Sequence, residues 1–302
     1  MTDSGAIILA YHRVGSFGRD PHGLAVTTER FAEQLDYLRR NIEVVPLEAI
    51  QGSARASVAI TFDDGYWDNA AAAGEMLHDS RLPATFFITA GRVGATDEFW
   101  WDRLDRILLT SKPVGRHIDV VVAGRALWAD ARTPAARERT YWALYHRLKP
   151  LPIPDIEDIV DQVARQLGDS SEERDTHRMM STEELRGLAA VEGFEIGAHS
   201  STHPLLATQT PEAQRAEIAG SRETLERFID GPVRSFSYPY GADDAFSTTT
   251  TRLVADAGYA RACTAMAGRA GPASDPFRLP RRVVLNWEGE DFGHRLTGWL
   301  EQ

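Results

Sequence analysis

Short apolar strands alternate with helical patterns along most of this chain, and this alternation constrains the fold more than any other feature. Strands are predicted at 6–11, 57–62 and 84–89, with helices at 28–40 and 69–79. The same alternation resumes in the second half of the chain. Such an order builds βαβ units, whose strands lie parallel in one sheet. An α/β barrel of about 250 residues plus one insertion accounts for the length.

The region from Glu98 to Arg178 interrupts this rhythm. It contains four tryptophans, several helical patterns and three prolines between 150 and 154. We expect a mostly helical insertion here, with one short strand at 118–122, that forms a lid or a wall. The sequence therefore predicts a single domain over 1–302 with a helical insertion at about 98–178.

Two adjacent carboxylates, Asp63 and Asp64, stand at the end of the apolar strand 57–62 and directly before Gly65. The carboxyl ends of parallel strands form the active face of barrels and doubly wound sheets. Neighbouring carboxylates repel each other, so they need a cation or a shared proton. One can bind a metal while the other acts as a base. The alternative is a simple helix N-cap, for which aspartate is also well suited.

Two histidines, His199 and His203, follow a strand predicted at 193–197 and are separated by polar residues. Pro204 disfavours helical geometry at His203, so the pair would bind a metal from a loop and not from a helix as in zincins. Two solvated loop histidines are the alternative. Two histidines with one carboxylate leave positions open for water. Non-haem iron oxygenases use a similar set, but the strand–helix alternation argues against their usual all-β scaffold.

These motifs together resemble the polysaccharide deacetylases with a NodB homology domain, which are similar to carbohydrate esterase family 4. The order and separation of TFDDG at 61–65 and HSSTH at 199–203 fit that family. The flanking segments ATFF at 84–87 and FSYPYG at 236–241 fit it as well. The resemblance runs from residue 6 to about 284, apart from the insertion. It implies an α/β fold, a distorted (β/α) barrel with fewer closed strands than a regular one.

The resemblance also assigns roles to residues of this chain. Asp64, His199 and His203 correspond to the metal ligands, and Asp63 to the base that deprotonates the metal's water. Tyr240 corresponds to the residue whose backbone N–H helps to hold the oxyanion. Such a metal lowers the pKa of its water to about 7 and polarises the amide carbonyl. Zn²⁺ is the default ion, with Co²⁺, Ni²⁺, Mn²⁺ and Fe²⁺ as alternatives.

One departure from the family concerns the arginine beside the base. Members with an Arg-Pro-Pro-Tyr-Gly motif orient the base with that arginine, but Ser237 stands at this position here. A second group, with Tyr-Pro-Tyr-Gly as in this chain, takes it from a later Leu-Pro-Arg segment, which implies Arg281. Arg282 is the alternative, since neighbours on a strand point in opposite directions. An exposed basic patch that also includes Arg278 is a further interpretation.

Another departure concerns the general acid. The late Leu-x-His motif of the family is not found. His12 lies in a Tyr-His-Arg-Val start that resembles the second group, and it ends a strand on the same face as Asp63. Protonation of a leaving amine needs such a residue, so His12 is the candidate. A histidine that merely fixes a loop is the alternative.

Aromatic residues beside these motifs are candidates for substrate binding. Tyr66 and Trp67 directly follow the aspartate pair, and Tyr238 belongs to the Tyr-Pro-Tyr-Gly motif. We expect these three side chains to contact the substrate. Trp100 and Trp101 could stack on a sugar, but an aromatic pair at a helix start more often belongs to the core.

The composition limits other functions. A net charge of −11 repels phosphate backbones, so no nucleic-acid partner is expected. Lys112 and Lys149 are the only lysines, which leaves few candidates for Schiff-base chemistry. The single cysteine, Cys263, excludes an intrachain disulfide and Cys-rich zinc modules, and its apolar context predicts a buried spectator. No apolar stretch reaches the roughly 18 residues of a membrane span, and no leader is visible, so we expect a cytoplasmic location.

The sequence therefore predicts a metal-dependent hydrolase that removes an N-acyl group, with acetyl as the first choice, from an amino sugar or sugar conjugate. One alternative is a metal-independent cyclic-imide or ureide hydrolase on the same scaffold. Such enzymes tend to lose the metal ligands, all of which are present here. The other is a non-catalytic carbohydrate-binding relative, against which the intact aspartate and histidine pairs argue. The sugar, the acyl group and the oligomeric state stay open.

Overall fold

The computed structural model describes residues 5–52, 56–110 and 116–301. The chain divides into two compact units, the first made of Met1–Gly94 and Met180–Gln302 and the second of Ala95–Met179. The chain leaves and rejoins the first unit at neighbouring points. The backbone N–H of Gly94 donates to the carbonyl oxygen of Met180 at 2.9 Å.

Strands and helices are numbered here along the whole chain. The strands are β1 (Ile7–Tyr11), β2 (Arg13–Val14), β3 (Ala25–Val26), β4 (Glu43–Val44), β5 (Ser57–Phe62), β6 (Ala84–Ile88), β7 (His117–Val122), β8 (Arg125–Asp130), β9 (Phe194–Ala198), β10 (Ser235–Ser237), β11 (Arg261–Cys263) and β12 (Arg282–Val283). The α-helices are α1 (Thr28–Asn41), α2 (Glu75–Ser80), α3 (Trp100–Asp105), α4 (Pro134–Leu148), α5 (Ile153–Leu167), α6 (Thr182–Ala189), α7 (Pro211–Ile229), α8 (Thr248–Asp256) and α9 (Gly289–Glu301).

A parallel sheet forms the centre of the first unit. Its strands run in the order β11–β10–β9–β6–β5–β1–β12, and β4 pairs with β5. Every strand pair in this sheet is parallel. The sheet curls into a half-barrel, which confirms the predicted α/β class and distorted barrel.

One segment, 279–284, reaches both ends of this sheet. Leu279 forms a parallel bridge with Cys263 of β11, and β12 pairs with β1 at the other end. Arg281 lies between these two pairings. These two pairings bring Arg281 close to the end of β5, where Asp63 lies.

Neighbouring strand residues pack on opposite faces of the sheet. Ile7 and Leu9 belong to a large apolar cluster that includes residues of α1, α6 and α7. Ile8, between them, belongs to a smaller cluster with Phe87 and Cys263. Both faces of the sheet are therefore covered by buried apolar residues.

The start of α6 is fixed by its capping residues. The Ser181 hydroxyl accepts from the backbone N–H of Glu184 at 3.1 Å, and the Glu184 carboxylate accepts from the Ser181 N–H at 2.7 Å. These two reciprocal bonds form a capping box at the start of α6. The helix predicted at 69–79 differs, because its first part, Asn69–Gly74, is wound as a π-helix before α2. Such wide turns often occur near functional sites.

The second unit contains α3, α4, α5 and an antiparallel hairpin of β7 and β8. The strand predicted at 118–122 lies within β7, whereas β8 was not predicted. Trp100 and Trp101 are buried, so this aromatic pair belongs to the core of the unit. Among the described residues, no helix has both the length and the apolar character needed to cross a bilayer.

Candidate metal centre

The two aspartates and the two histidines come from strands on either side of β6. Asp63 and Asp64 follow β5, and His199 follows β9. Asp64 has a left-handed backbone with a φ of 76°, and Gly65 continues it with a φ of 86°. This turn separates the directions of the two neighbouring carboxylates. Both aspartates are buried, so each needs a compensating charge.

Asp64, His199 and His203 form a compact set of ligand atoms. The distance from Asp64 Oδ1 is 3.6 Å to His199 Nε2 and 3.4 Å to His203 Nε2. One ligand atom from each of the three residues can be chosen so that all lie within 4.8 Å of one another. Ligands about 2.1 Å from one tetrahedral ion lie about 3.4 Å apart, so the set fits a divalent metal. The structure does not identify the ion.

A hydrogen bond at Nδ1 of His199 orients its ring so that Nε2 can bind a metal. Its Nδ1 lies 2.8 Å from the carbonyl oxygen of Ser237, which can only accept, so Nδ1 carries the proton. This leaves the lone pair of Nε2 facing Asp64. Burial lowers the pKa of His199 to about 4, although the nearby carboxylates oppose this shift. The imidazole is therefore neutral at pH 7, as metal binding requires.

Asp63 is bound by the guanidinium of Arg281 rather than by the histidines. The two hydrogen bonds measure 2.7 Å to Oδ1 and 2.6 Å to Oδ2. Arg281 is 1% exposed, and its Nε donates to the carbonyl oxygen of Thr264 at 2.8 Å. Burial raises the pKa of Asp63, but the charge and hydrogen bonds of Arg281, together with the charges of His199 and His12, outweigh it and leave this pKa below its usual range. Asp63 is thus an ionised carboxylate with a fixed orientation.

The other arginines of this segment lie elsewhere. The Arg282 guanidinium lies over the ring of Trp299, 5.4 Å from its centroid. Arg278 is partly exposed and pairs with Asp243 at 3.3 Å. The structure therefore places Arg281, not Arg282, beside Asp63, and an exposed basic patch does not describe Arg281.

Ser237 connects the two halves of the site, a role that the sequence did not predict. Its Oγ accepts from Arg281 at 2.8 Å and donates to Asp63 at 3.4 Å. Its carbonyl oxygen accepts the hydrogen bond from His199. Ser237, which stands where other family members have an arginine, thus contacts both the candidate base Asp63 and the candidate ligand His199.

His12 and Tyr240 also lie at this site. His12 directly follows β1, which pairs with β5, and its charge contributes to lowering the pKa of both Asp63 and Asp64. Its Nδ1 is buried and has no hydrogen-bond partner among the described residues. Tyr240 has a left-handed backbone with a φ of 63°, and its ring meets His203 edge-on at 4.7 Å.

A buried ion pair that the sequence did not predict fixes the segment after β1. The Asp68 carboxylate accepts from the Arg13 guanidinium at 2.9 Å and from the backbone N–H of Val14 at 2.9 Å. The Asn69 amide donates to the carbonyl oxygen of His12 at 2.8 Å. The start of the π-helix therefore holds the backbone that carries His12.

Tyr238, one of the three predicted substrate contacts, lies in the apolar core. Its side chain is fully buried, its hydroxyl donates to the carbonyl oxygen of Phe277 at 2.9 Å, and its ring stacks on Phe246. It is a core residue directly after β10. Tyr66 is also buried, and the Arg13 guanidinium lies 4.1 Å from its ring centroid. Of the three aromatic candidates, Trp67 alone is partly exposed.

Cys263 takes no part in the site. It is fully buried in β11. Burial raises the pKa of its thiol to about 12, so the residue is a neutral thiol at pH 7. This agrees with a buried spectator.

Comparison with known proteins covers both the sequence and the fold. A family model described as "Polysaccharide deacetylase" matches residues 51–117 and 171–262, just over half of the chain. No curated protein sequence matches this chain significantly.

Several solved structures share the fold. The deacetylase PplD of Streptococcus pyogenes, in complex with acetate, is 17% identical with a TM-score of 0.63, and the match covers 100% of both chains. A polysaccharide deacetylase from Bacillus cereus is 16% identical with a TM-score of 0.63, covering 97% of this chain and 69% of the other. IcaB from Ammonifex degensii is 18% identical with a TM-score of 0.62, covering 99% and 98%. At such identities the likeness shows the fold alone.

Proposed function

This chain belongs to the polysaccharide deacetylase family, and from that premise we propose that it is a metal-dependent hydrolase that removes an N-acyl group from an amino sugar or sugar conjugate. One observation carries the proposal. A buried ligand set of Asp64, His199 and His203 lies directly beside Asp63, whose carboxylate is held ionised by Arg281. Acetyl is the first choice of acyl group, and the similar fold of PplD, a deacetylase with bound acetate, supports it.

The ligand set, Asp63 and Arg281 have different roles in the proposed reaction. A divalent ion at the ligand set, with Zn²⁺ as our first choice, would polarise the substrate carbonyl and make a water acidic near neutral pH. Asp63 accepts the proton of the attacking water, because it is ionised and lies directly beside the ligand set. Arg281 fixes the direction of that carboxylate with its two hydrogen bonds.

Two further groups complete the proposed reaction. The backbone N–H of Tyr240 stabilises the oxyanion that forms on the carbonyl oxygen. His12 gives a proton to the leaving amine nitrogen, for which its position near both aspartates is suitable. Trp67 is the proposed aromatic contact for the sugar, since its side chain is partly exposed.

Metal analysis combined with acetate release tests the proposal. The purified protein is expected to hold about one divalent ion per chain, and acetate should be released from at least one member of a panel of N-acetylated amino sugars. Stripping the ion with a chelator should abolish release, and adding Zn²⁺ should restore it. Asp63→Asn should keep the metal and lose roughly 10²–10⁴ in rate.

Other outcomes point to other functions. Normal hydrolysis by Asp63→Asn would overturn the role of the base. Hydrolysis of a cyclic imide that is insensitive to the chelator would favour the metal-independent class. Sugar binding without hydrolysis in a metal-loaded protein would favour a non-catalytic relative.

A further inference from the structure

The loop between the two histidine ligands has an unusual backbone. Ser200 and His203 both adopt left-handed conformations, with φ of 61° and 64°. For residues other than glycine this conformation costs roughly 1–2 kcal/mol each, so it persists only where surrounding contacts impose it. Because His203 carries a ligand nitrogen, whatever imposes this backbone also sets the position of that nitrogen.

Glu217, on α7, supplies the contacts on one side of the loop. Its Oε2 accepts from the backbone N–H of Ser201 at 2.9 Å and of Thr202 at 2.8 Å. Its Oε1 accepts from the Thr202 hydroxyl at 2.7 Å, and its backbone carbonyl accepts from the Ser201 hydroxyl at 3.2 Å. Two successive N–H groups converging on one anionic oxygen form a nest, which favours a negative charge. One carboxylate therefore holds the middle of the loop.

The short helical turn after β6, Ala90–Arg92, holds the other side. The backbone N–H groups of Ala90 and Gly91 donate to the carbonyl oxygens of Ser200 and Ser201 at 3.0 Å and 2.8 Å. A Cβ on Gly91 would lie only 2.6 Å from the Ser201 carbonyl oxygen, so this close approach requires glycine. The loop is thus held between the turn that follows β6 and the Glu217 carboxylate.

We propose that Glu217 is a positioning residue of the metal centre, which holds the 200–202 loop so that His203 meets Asp64 and His199 at coordinating distance. The inference rests on the proposed function, since it assumes that these three residues bind the ion. Glu217 acts through the loop, since its contacts described above are with Ser201 and Thr202. Outer groups of this kind typically change metal affinity by about 10–100-fold when they are removed.

The test measures Zn²⁺ affinity of the metal-stripped protein by competition with a chromogenic chelator, which needs no substrate. Glu217→Ala is expected to bind Zn²⁺ about 10–100-fold more weakly than the wild type. Glu217→Gln keeps one acceptor oxygen and should fall between the two. Glu223→Ala, an exposed glutamate on the same helix, is the matched control and should bind as the wild type does.

A second readout separates positioning from a general loss of structure. Because bound metal reorders the loop, saturating Zn²⁺ should restore most of the kcat of Glu217→Ala, which a misfolded protein would not show. If Glu217→Ala does not fold, Thr202→Val removes only the bond between Thr202 Oγ1 and Glu217 Oε1 and should weaken Zn²⁺ binding several-fold.

The outcomes distinguish this inference from the proposed function. Unchanged Zn²⁺ affinity in Glu217→Ala, with a wild type that binds and hydrolyses, overturns the positioning role alone. A wild type without measurable Zn²⁺ affinity overturns the proposed function and this inference with it.

Discussion

Arg281 and Asp63 form a buried, bidentate ion pair, although 218 positions separate them in the sequence. Asp63 follows β5, whereas Arg281 lies on the segment that reaches both ends of the sheet. Both side chains are almost completely shielded from water. Each charge therefore depends on the other for its compensation.

Substitution of Arg281 should affect both stability and catalysis. Arg281→Met leaves a buried carboxylate without its cation and should lower the free energy of unfolding by about 3–5 kcal/mol. Arg281→Lys keeps the charge but loses the two-armed geometry, so kcat should fall about 100-fold. Denaturant unfolding and steady-state kinetics measure the two effects. Arg282→Lys is the control, and an equal loss of kcat there would contradict the assignment.

The low pKa of His199 predicts how the stability of the metal-free protein depends on pH. The folded value is about 4, against 6.5 for the free side chain, so the unfolded chain takes up the proton first. The free energy of unfolding should therefore be fully retained above pH 6.5 and fall as the pH drops towards 4, by up to about 3 kcal/mol from this residue.

A glutamine at this position separates the His199 contribution from that of other groups. His199→Gln cannot take up the proton, while its amide can still donate to the Ser237 carbonyl. Denaturant unfolding at pH 7, 5.5 and 4.5 should give a flatter dependence in the variant. Parallel curves for the variant and the wild type would refute the prediction.

Because Tyr238 is buried, substitution can distinguish a role in the core from contact with substrate. Tyr238→Phe loses the hydrogen bond to Phe277 and should reduce the free energy of unfolding by about 1 kcal/mol with no change in KM. Trp67→Ala should instead raise KM, since its side chain is the exposed candidate. KM on an N-acetylated sugar and denaturant unfolding measure both variants. A higher KM in Tyr238→Phe would restore its predicted role.

Features that depend on neighbours in sequence could be predicted. The capping box of Ser181 and Glu184 is such a feature, because both residues belong to one helical turn. The pair Asp63 and Asp64 is another, since an apolar strand delivers both carboxylates to the sheet edge. The parallel order follows from the regular alternation of strands and helices.

Features that depend on packing could not be predicted. Glu217 lies on α7 among other polar residues and resembles a residue of a solvated helix face; only the three-dimensional structure brings it to Thr202. The side-chain direction of Tyr238 was equally hidden, because the residue follows β10, a strand of three buried residues without alternation. Asp68 resembled an ordinary helix start, yet its partner is Arg13.

The hydrogen bond between Gly94 and Met180 has an evolutionary consequence. Since the chain departs from and returns to one place, the whole of Ala95–Met179 behaves as a cassette. Recombination can lengthen, shorten or replace such a cassette while β5, β6 and β9 keep their register. The segment Ala95–Met179 can thereby change in sequence at a different rate from the part of the chain that carries the buried ligands.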